Sequence, residues 1–216
     1  MTSSFERTIA RDGQIEQEQR KSRFIGSAFR ITTEEEAREK INTMRKDYWN
    51  ANHNCTAWRI GPSGRLQRTN DDGEPAGTAG VPMLEVLNRH DVTDVLVVVT
   101  RFFGGIKLGA GGLIRAYGST VSQVLDHVGI VERRPLHIVS VKVGHSDSGK
   151  FENIVRASPY PLVDVSYNPA HVSFTVHLPP EDIGPYESFV SEATSGAAMP
   201  IDTGITLVEV PTADVG

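Results

Sequence analysis

The run TDVLVVVTRFFGGIKLGAGG, Thr93 to Gly112, constrains the fold more than any other part of the chain. Its first eight residues, Thr93 to Thr100, are β-branched and almost continuously apolar, so they read as a central strand buried on both faces. The next twelve, Arg101 to Gly112, include five glycines. Ala110 to Val128 then reads as a helix, with Leu113, Ala116, Tyr117, Val121, Val124, Leu125 and Val128 on one face. Glycines let backbone amides approach an anion and tolerate positive φ. The start of the following helix adds unpaired N–H groups and a partial positive charge. Arg101 and Lys107 add full charges. One reading of this segment is therefore an anion or ligand site built from Arg101, Gly104, Gly105, Lys107, Gly109, Gly111, Gly112 and Arg115. The Walker pattern is absent, and the glycines do not have the dinucleotide-binding spacing. The other reading is that they serve tight turns and close helix–sheet packing.

Around this segment the chain reads as a mixed α+β protein. Phe5 to Ile31 is strand-like at both ends. Thr32 and Thr33 precede Glu34, Glu35 and Glu36, and a Thr cap followed by acids suits a helix start, where orphan amides and the helix dipole favour oxygen and negative charge, so a helix is expected from about Thr33 to Asp47. Ala37, Ile41 and Met44 form its buried stripe. Asn54 to Ile60 and Arg65 to Thr69 flank a GPSG turn and read as a hairpin. The stretch 70–82, NDDGEPAGTAGVP, is a loop by composition. Val81 to Asn88 is expected as a short helix with Pro82 in its first turn.

Glu132 to Pro135 is a charged joint, where the domain boundary is expected, giving domains 1–134 and 135–216. Beyond it come a strand (His137 to Val143), a helix (Asp147 to Ala157), two strands (Leu162 to Tyr167, Val172 to Leu178), a helix (Pro180 to Ser191) and a strand (Gly204 to Val210). The order β-α-β-β-α-β is the ferredoxin-like pattern.

Charge divides along the same line. Residues 1–136 hold 19 Lys and Arg against 17 Asp and Glu, whereas residues 137–216 hold 3 against 10. Wrapping of DNA by the whole chain is excluded on this balance, since phosphate binding needs clustered cations. A local basic face on the first domain is left open. No apolar run approaches the roughly 20 residues of a spanning helix. MTSSFERTIARDGQ contains no apolar stretch suited to a secretory signal, and Cys55 is the single cysteine, so a cytoplasmic protein without internal disulfides is expected.

Three further groups carry chemistry. His53 and Cys55, two apart at a strand start, face one side and form either a nucleophilic pair or a partial metal site. A lone strand cysteine is more commonly a small buried hydrophobe, and zinc needs more ligands than these. Asp71, Asp72 and Glu74 can hold Mg²⁺, act as acid and base, or simply form turns. Asp72 or Glu74 is expected within reach of Arg101 or Lys107, because a buried carboxylate needs a cationic partner. Finally, Trp58, Phe102, Phe103 and Tyr117 with Arg68, Arg101, Lys107 and Arg115 make either an RNA surface or a core fringed by solvated cations.

Lys21 to Arg23 before Phe24, HNC at 53–55, NDDGEPAGTAGVP at 70–82 and VVVTRFFGGIKLGAGGLIRAYG at 97–118 together resemble the IMPACT family over residues 5–125. The C-terminal part is similar in length and rhythm to the extra domain of the bacterial, YigZ-type members. The resemblance implies a first domain like the second domain of ribosomal protein S-five, and a second like a ferredoxin-like domain of elongation factor G. Eukaryotic relatives regulate translation by competing for the activator of a stress-responsive eIF-two-alpha kinase. They do so with a further module not visible in this sequence, so that partner does not carry over. The expectation is a translation-associated regulator that binds RNA, the ribosome or a protein partner, without cofactor, metal or membrane. The alternative is an enzyme acting on a small phosphorylated or nucleotide ligand, since small-molecule kinases share the first fold.

Overall fold

A computed structural model describes residues 5–212. Residues 1–4 and 213–216, which belong to the expected domain ranges and, at the N-terminus, to the leader-free reading, lie outside the described residues. The described residues form two compact units, one of residues 5–133 with 209–212 and the other of residues 134–208.

The first unit is built on an antiparallel sheet. Its strands are β2 (Gly13–Gln19), β3 (Ser22–Arg30), β4 (His53–Ile60), β5 (Leu66–Asn70) and β6 (Val95–Phe102), in the order β2-β3-β6-β4-β5. The apolar run becomes the central strand β6 and is buried on both faces. Val95, Val97 and Val99 pack into a core beneath α2 (Gly80–Arg89) and α3 (Ala110–Val128). Leu96 and Val98 point the other way, toward Ala37 and Met44 of α1 (Glu34–Asp47). Period-two alternation in a strand with two covered faces explains why all five positions are apolar. At the start of α1, Thr33 Oγ1 accepts from the Glu36 amide at 3.2 Å, and the Glu36 carboxylate accepts from the Thr32 amide at 2.6 Å. This is the reciprocal cap that Thr followed by acids suggests.

The N-terminal stretch is a short strand, β1 (Glu6–Ile9), followed by the β2–β3 hairpin. Strand β7 (Ile130–Val143) starts earlier than expected and runs straight through the charged joint. Glu132 and Arg133 find partners within the first unit. β1 pairs with Ile130–Arg133, Arg7 bonds Glu132 at 3.0 Å, and Arg133 bonds Asp94. Charged residues that find cross-strand partners do not break a strand. The assignment of 135–216 to one domain also needs correcting at its end. Glu209 accepts from Arg30, and the Thr212 amide donates to the Ile130 carbonyl at 3.1 Å, so residues 209–212 belong with the first unit.

The second unit contains the rest of β7, α4 (His145–Arg156), β8 (Leu162–Tyr167), β9 (Val172–Leu178), α5 (Ile183–Thr194) and most of β10 (Pro200–Pro211). The strand order β10-β7-β9-β8 is the split arrangement of the β-α-β-β-α-β pattern. Val139, Val141, Phe174 and Val176 from its inner strands pack with Phe151, Val155, Tyr186 and Val190 from the helices. No helix among the described residues is long and apolar enough to cross a membrane.

A cleft beneath the glycine-rich loop

The loop before α2 is organised by Asp71. Its Oδ1 accepts from the amides of Gly80 (2.8 Å) and Ala79 (3.1 Å), and its Oδ2 from that of Gly77 (2.8 Å). Burial works to raise its pKa, but these three amides outweigh burial and hold the carboxyl below its ordinary range. The Asp71 carbonyl accepts from the Glu74 amide at 2.9 Å. This turn directs the Glu74 side chain inward, where it is 3% exposed.

Opposite stands Arg101 at the end of β6. Its Nη1 donates to Glu74 Oε1 at 2.6 Å, and its own side chain is 6% exposed. Tyr117 of α3 donates its hydroxyl to the same Oε1 at 2.8 Å. The loops 70–82 and 101–112 therefore meet as expected, and the partner is Glu74. Asp72 turns away, with Oδ1 2.8 Å from Arg45 and Oδ2 accepting from the Asn54 amide at 2.7 Å.

His53 lies beside this pair. Its Nδ1 is 2.9 Å from the Asp72 carbonyl, which can only accept, so Nδ1 carries the proton. Nε2 then faces Glu74 Oε1 at 3.8 Å. Cys55, two residues on, is fully buried and takes no part in the cleft. Burial is the main cause that pushes its thiol up to about 12, and its hydrogen bond to Tyr117 at 3.3 Å lowers it only partly. A thiol so placed is not a nucleophile at neutral pH.

Above the pair opens a cleft of about 450 Å³, lined by Asn52, His53, Glu74, Pro75, Arg101, Phe103, Lys107, Leu108, Gly109, Ala110 and Leu113. Lys107 is exposed at its edge, and Phe103 is 45% exposed. The first amides of α3 have no acceptor within the helix. Only Leu113 already bonds back, to the Gly109 carbonyl at 2.9 Å.

The glycines have separate reasons to be glycine. A Cβ on Gly104 would sit 1.8 Å from the Lys21 carbonyl oxygen, so this position permits the loop to press on the β2–β3 turn. Gly109 has φ of +72° with open space around it, so backbone conformation alone selects glycine there. Gly105 also has positive φ, and Gly112 packs against Leu108.

Of the sequence-predicted residues, Arg101, Glu74, Lys107 and Gly109 line the cleft. Gly104, Gly105, Gly111 and Gly112 shape the adjoining loop and helix start. Arg115 is exposed on α3 and does not line the cleft. The sequence pattern does not single out Asn52 as a lining residue, and it offers Arg101 both as an anion ligand and as a partner for Asp72 or Glu74; in the structure its charge is committed to Glu74. The sequence marks His53 by its spacing with Cys55; the structure places it opposite Glu74. The position of His53 one residue before the buried stretch of β4 is the signal that could have found it. No group of three or more His, Cys, Asp or Glu side chains among the described residues is arranged to hold a metal ion.

The Impact N-terminal domain family matches residues 20–125, and the domain of unknown function DUF1949 matches residues 141–197. IMPACT family member YvyE of Bacillus subtilis is 44% identical over 202 residues, spanning 94% of this chain and 93% of that protein. IMPACT family member YigZ of Escherichia coli is 31% identical over 85% of this chain and 90% of its own length. A solved structure described as that of an hypothetical protein is 30% identical, covers 92% of this chain and 97% of its own, and superposes with a TM-score of 0.57. The chain belongs to the IMPACT family.

Proposed function

We propose that this protein is a translation-associated regulator that binds single-stranded RNA with the cleft of its first unit. The observation that carries the reading is that exposed Phe103 and exposed Lys107 line one cleft together with the first residues of α3. An aromatic face offers a stacking platform to any base, while a cation and free helix amides attract phosphate. Membership of the IMPACT family supports the link to translation. Lys107 and Arg115 supply mobile charge, since Arg101 is neutralised by Glu74.

The test is fluorescence anisotropy of a labelled single-stranded RNA titrated with the full chain at several salt concentrations. Each lost phosphate contact should flatten the logarithmic salt slope by about 0.7. Lys107→Ala should therefore weaken binding and flatten the slope by about that amount, as should Arg115→Ala. An unchanged slope in both variants would move the contact surface elsewhere. Absence of binding at low salt would remove RNA.

A second reading, an enzyme acting on a small phosphorylated or nucleotide ligand, draws support from His53 and Glu74 facing one another across 3.8 Å at the cleft. Incubation with nucleoside phosphates and chromatography of the products tests it. Turnover that survives in wild type and vanishes in His53→Ala would establish it.

A further inference from the structure

The polar groups left over in the cleft are donors. Arg101 has its charge cancelled by Glu74, yet its Nε is buried and has no hydrogen-bond partner among the described residues. A buried N–H without an acceptor is unfavourable, and a ligand oxygen relieves it. Asn52 turns Oδ1 to the Phe103 amide at 2.7 Å, which makes its other terminus the NH2, and that NH2 meets no acceptor among the described residues. Lys107 is exposed at the rim. The amides of Ala110, Gly111 and Gly112 precede the first bonded amide of α3, that of Leu113, and no side chain caps them. Gly111 adds an independent sign. Its φ lies outside the left-handed region, and a Cβ there would meet only Arg115 Nη1, at 3.6 Å, an ordinary contact. Alanine is the better helix former, so no contact among the described residues selects glycine at this position. A bare Cα leaves the amide open to an oxygen from outside.

We propose that the cleft seats a terminal phosphate, the phosphomonoester at the end of an RNA strand or of a free mononucleotide. Its oxygens accept from Lys107, from the Asn52 NH2 and from the first amides of α3. One of them reaches Arg101 Nε as the half-exposed ring of Phe103, whose centroid lies 5.6 Å from the guanidinium carbon, turns aside. A monoester suits this set of donors better than a phosphate within a strand. It carries a charge of about −1.5 to −2 near neutral pH on three strong acceptor oxygens, whereas a phosphodiester presents two free oxygens and a single charge. The positive end of α3 and Lys107 match the additional charge. Pro75, Leu108 and Leu113 give the cleft apolar walls for the sugar and base that follow. The inference rests on the RNA reading above and adds to it which part of the strand enters the cleft.

Three internally labelled RNAs of one sequence test the idea: one with a 5′-phosphate, one with a 3′-phosphate and one with hydroxyls at both ends. By fluorescence anisotropy, a phosphate-ended strand should bind the full chain at least about tenfold tighter than the hydroxyl-ended one. Asn52→Asp keeps an acceptor for the Phe103 amide and replaces the NH2 donor with a carboxylate oxygen. With its fold checked by thermal melt, it should erase that preference, and Lys107→Ala should reduce it. Gly111→Ala should melt no lower than the wild type and still bind the phosphate-ended strand more weakly, a combination that a merely structural glycine would not give. Calorimetric titration with uridine monophosphate against uridine reads the free nucleotide. Binding of the monophosphate with no advantage for either phosphate-ended strand assigns the cleft to free nucleotide. Equal binding of all three strands together with no binding of the monophosphate overturns the proposal, as does a preference that survives intact in Asn52→Asp. If RNA still binds with a Lys107-dependent salt slope in either of those cases, the RNA reading stands and only the terminal-phosphate site falls. Monophosphate binding without RNA binding at low salt removes the RNA reading and leaves the phosphate site.

Discussion

Arg101 and Glu74 meet 2.6 Å apart at the floor of the cleft, 27 positions apart in the chain, with both side chains almost wholly excluded from water. The pair joins the end of β6 to the loop before α2, and Tyr117 ties α3 to the same oxygen. Removing one member leaves the other charge buried without compensation. Glu74→Gln or Arg101→Met should therefore cost about 3–5 kcal/mol. The double variant should cost less than the two single changes summed, because neither charge is then stranded. Urea denaturation monitored by tryptophan fluorescence provides the four stabilities of the cycle.

Cys55 should be inert in the folded protein. With its thiol pushed up to about 12 by burial, the thiolate is scarce between pH 6 and 9. Alkylation by iodoacetamide should be slow in native conditions across that range and fast in urea. Rapid stoichiometric labelling of native protein would contradict the burial.

Asp71 should make stability depend on acid. Its folded pKa is depressed, so its contribution is present above the unfolded value of about 3.9 and is lost as pH falls through the folded value. Melting temperatures should decline as pH drops below about 4, and part of that decline should vanish in Asp71→Asn. The variant should also be less stable at pH 7, since one of its side-chain atoms no longer accepts from the three amides.

The two glycines at either end of the loop should respond differently to alanine. Gly109→Ala meets open space and is penalised by its backbone conformation alone (φ +72°, ψ +166°), by about 1–3 kcal/mol. Gly104→Ala drives Cβ into the Lys21 carbonyl, and backbone cannot swing aside as a side chain can. It should cost more than Gly109→Ala and disturb the β2–β3 turn. Thermal melts rank the pair, and amide chemical shifts of residues 20–23 locate the disturbance.

Much of this was legible in the residues because local and global demands agree. The apolar run of β6, the Thr33 cap and the apolar face of α3 each encode their element locally, and their bounds fall within a few residues of the expectation. The start of β7 is not legible in the sequence, because Glu132 and Arg133 look like linker charges until Arg7 and Asp94 arrive from distant segments. The cleft was half legible. A buried carboxylate beside Arg101 followed from desolvation, but its consequence, that the charge of Arg101 is neutralised, follows only once Glu74 is seen on Oε1 with Tyr117. His53 was invisible as a cleft residue because its meaning depends on the Asp72 carbonyl, which no side-chain pattern announces.

The return of Glu209–Thr212 to the first unit has a topological consequence. Arg133, the last residue before the chain leaves that unit, has its Nε 3.6 Å from the carboxylate of Glu209, the first residue after it comes back. The second unit is thus an insertion whose two stems are adjacent, rather than a tail. Cutting the gene after codon 134 would strip Arg30 and Arg133 of Glu209 and the Ile130 carbonyl of Thr212. Excising 134–208 and bridging the stems with a few flexible residues would keep those contacts, so two deletions that look alike on a linear map would yield different proteins.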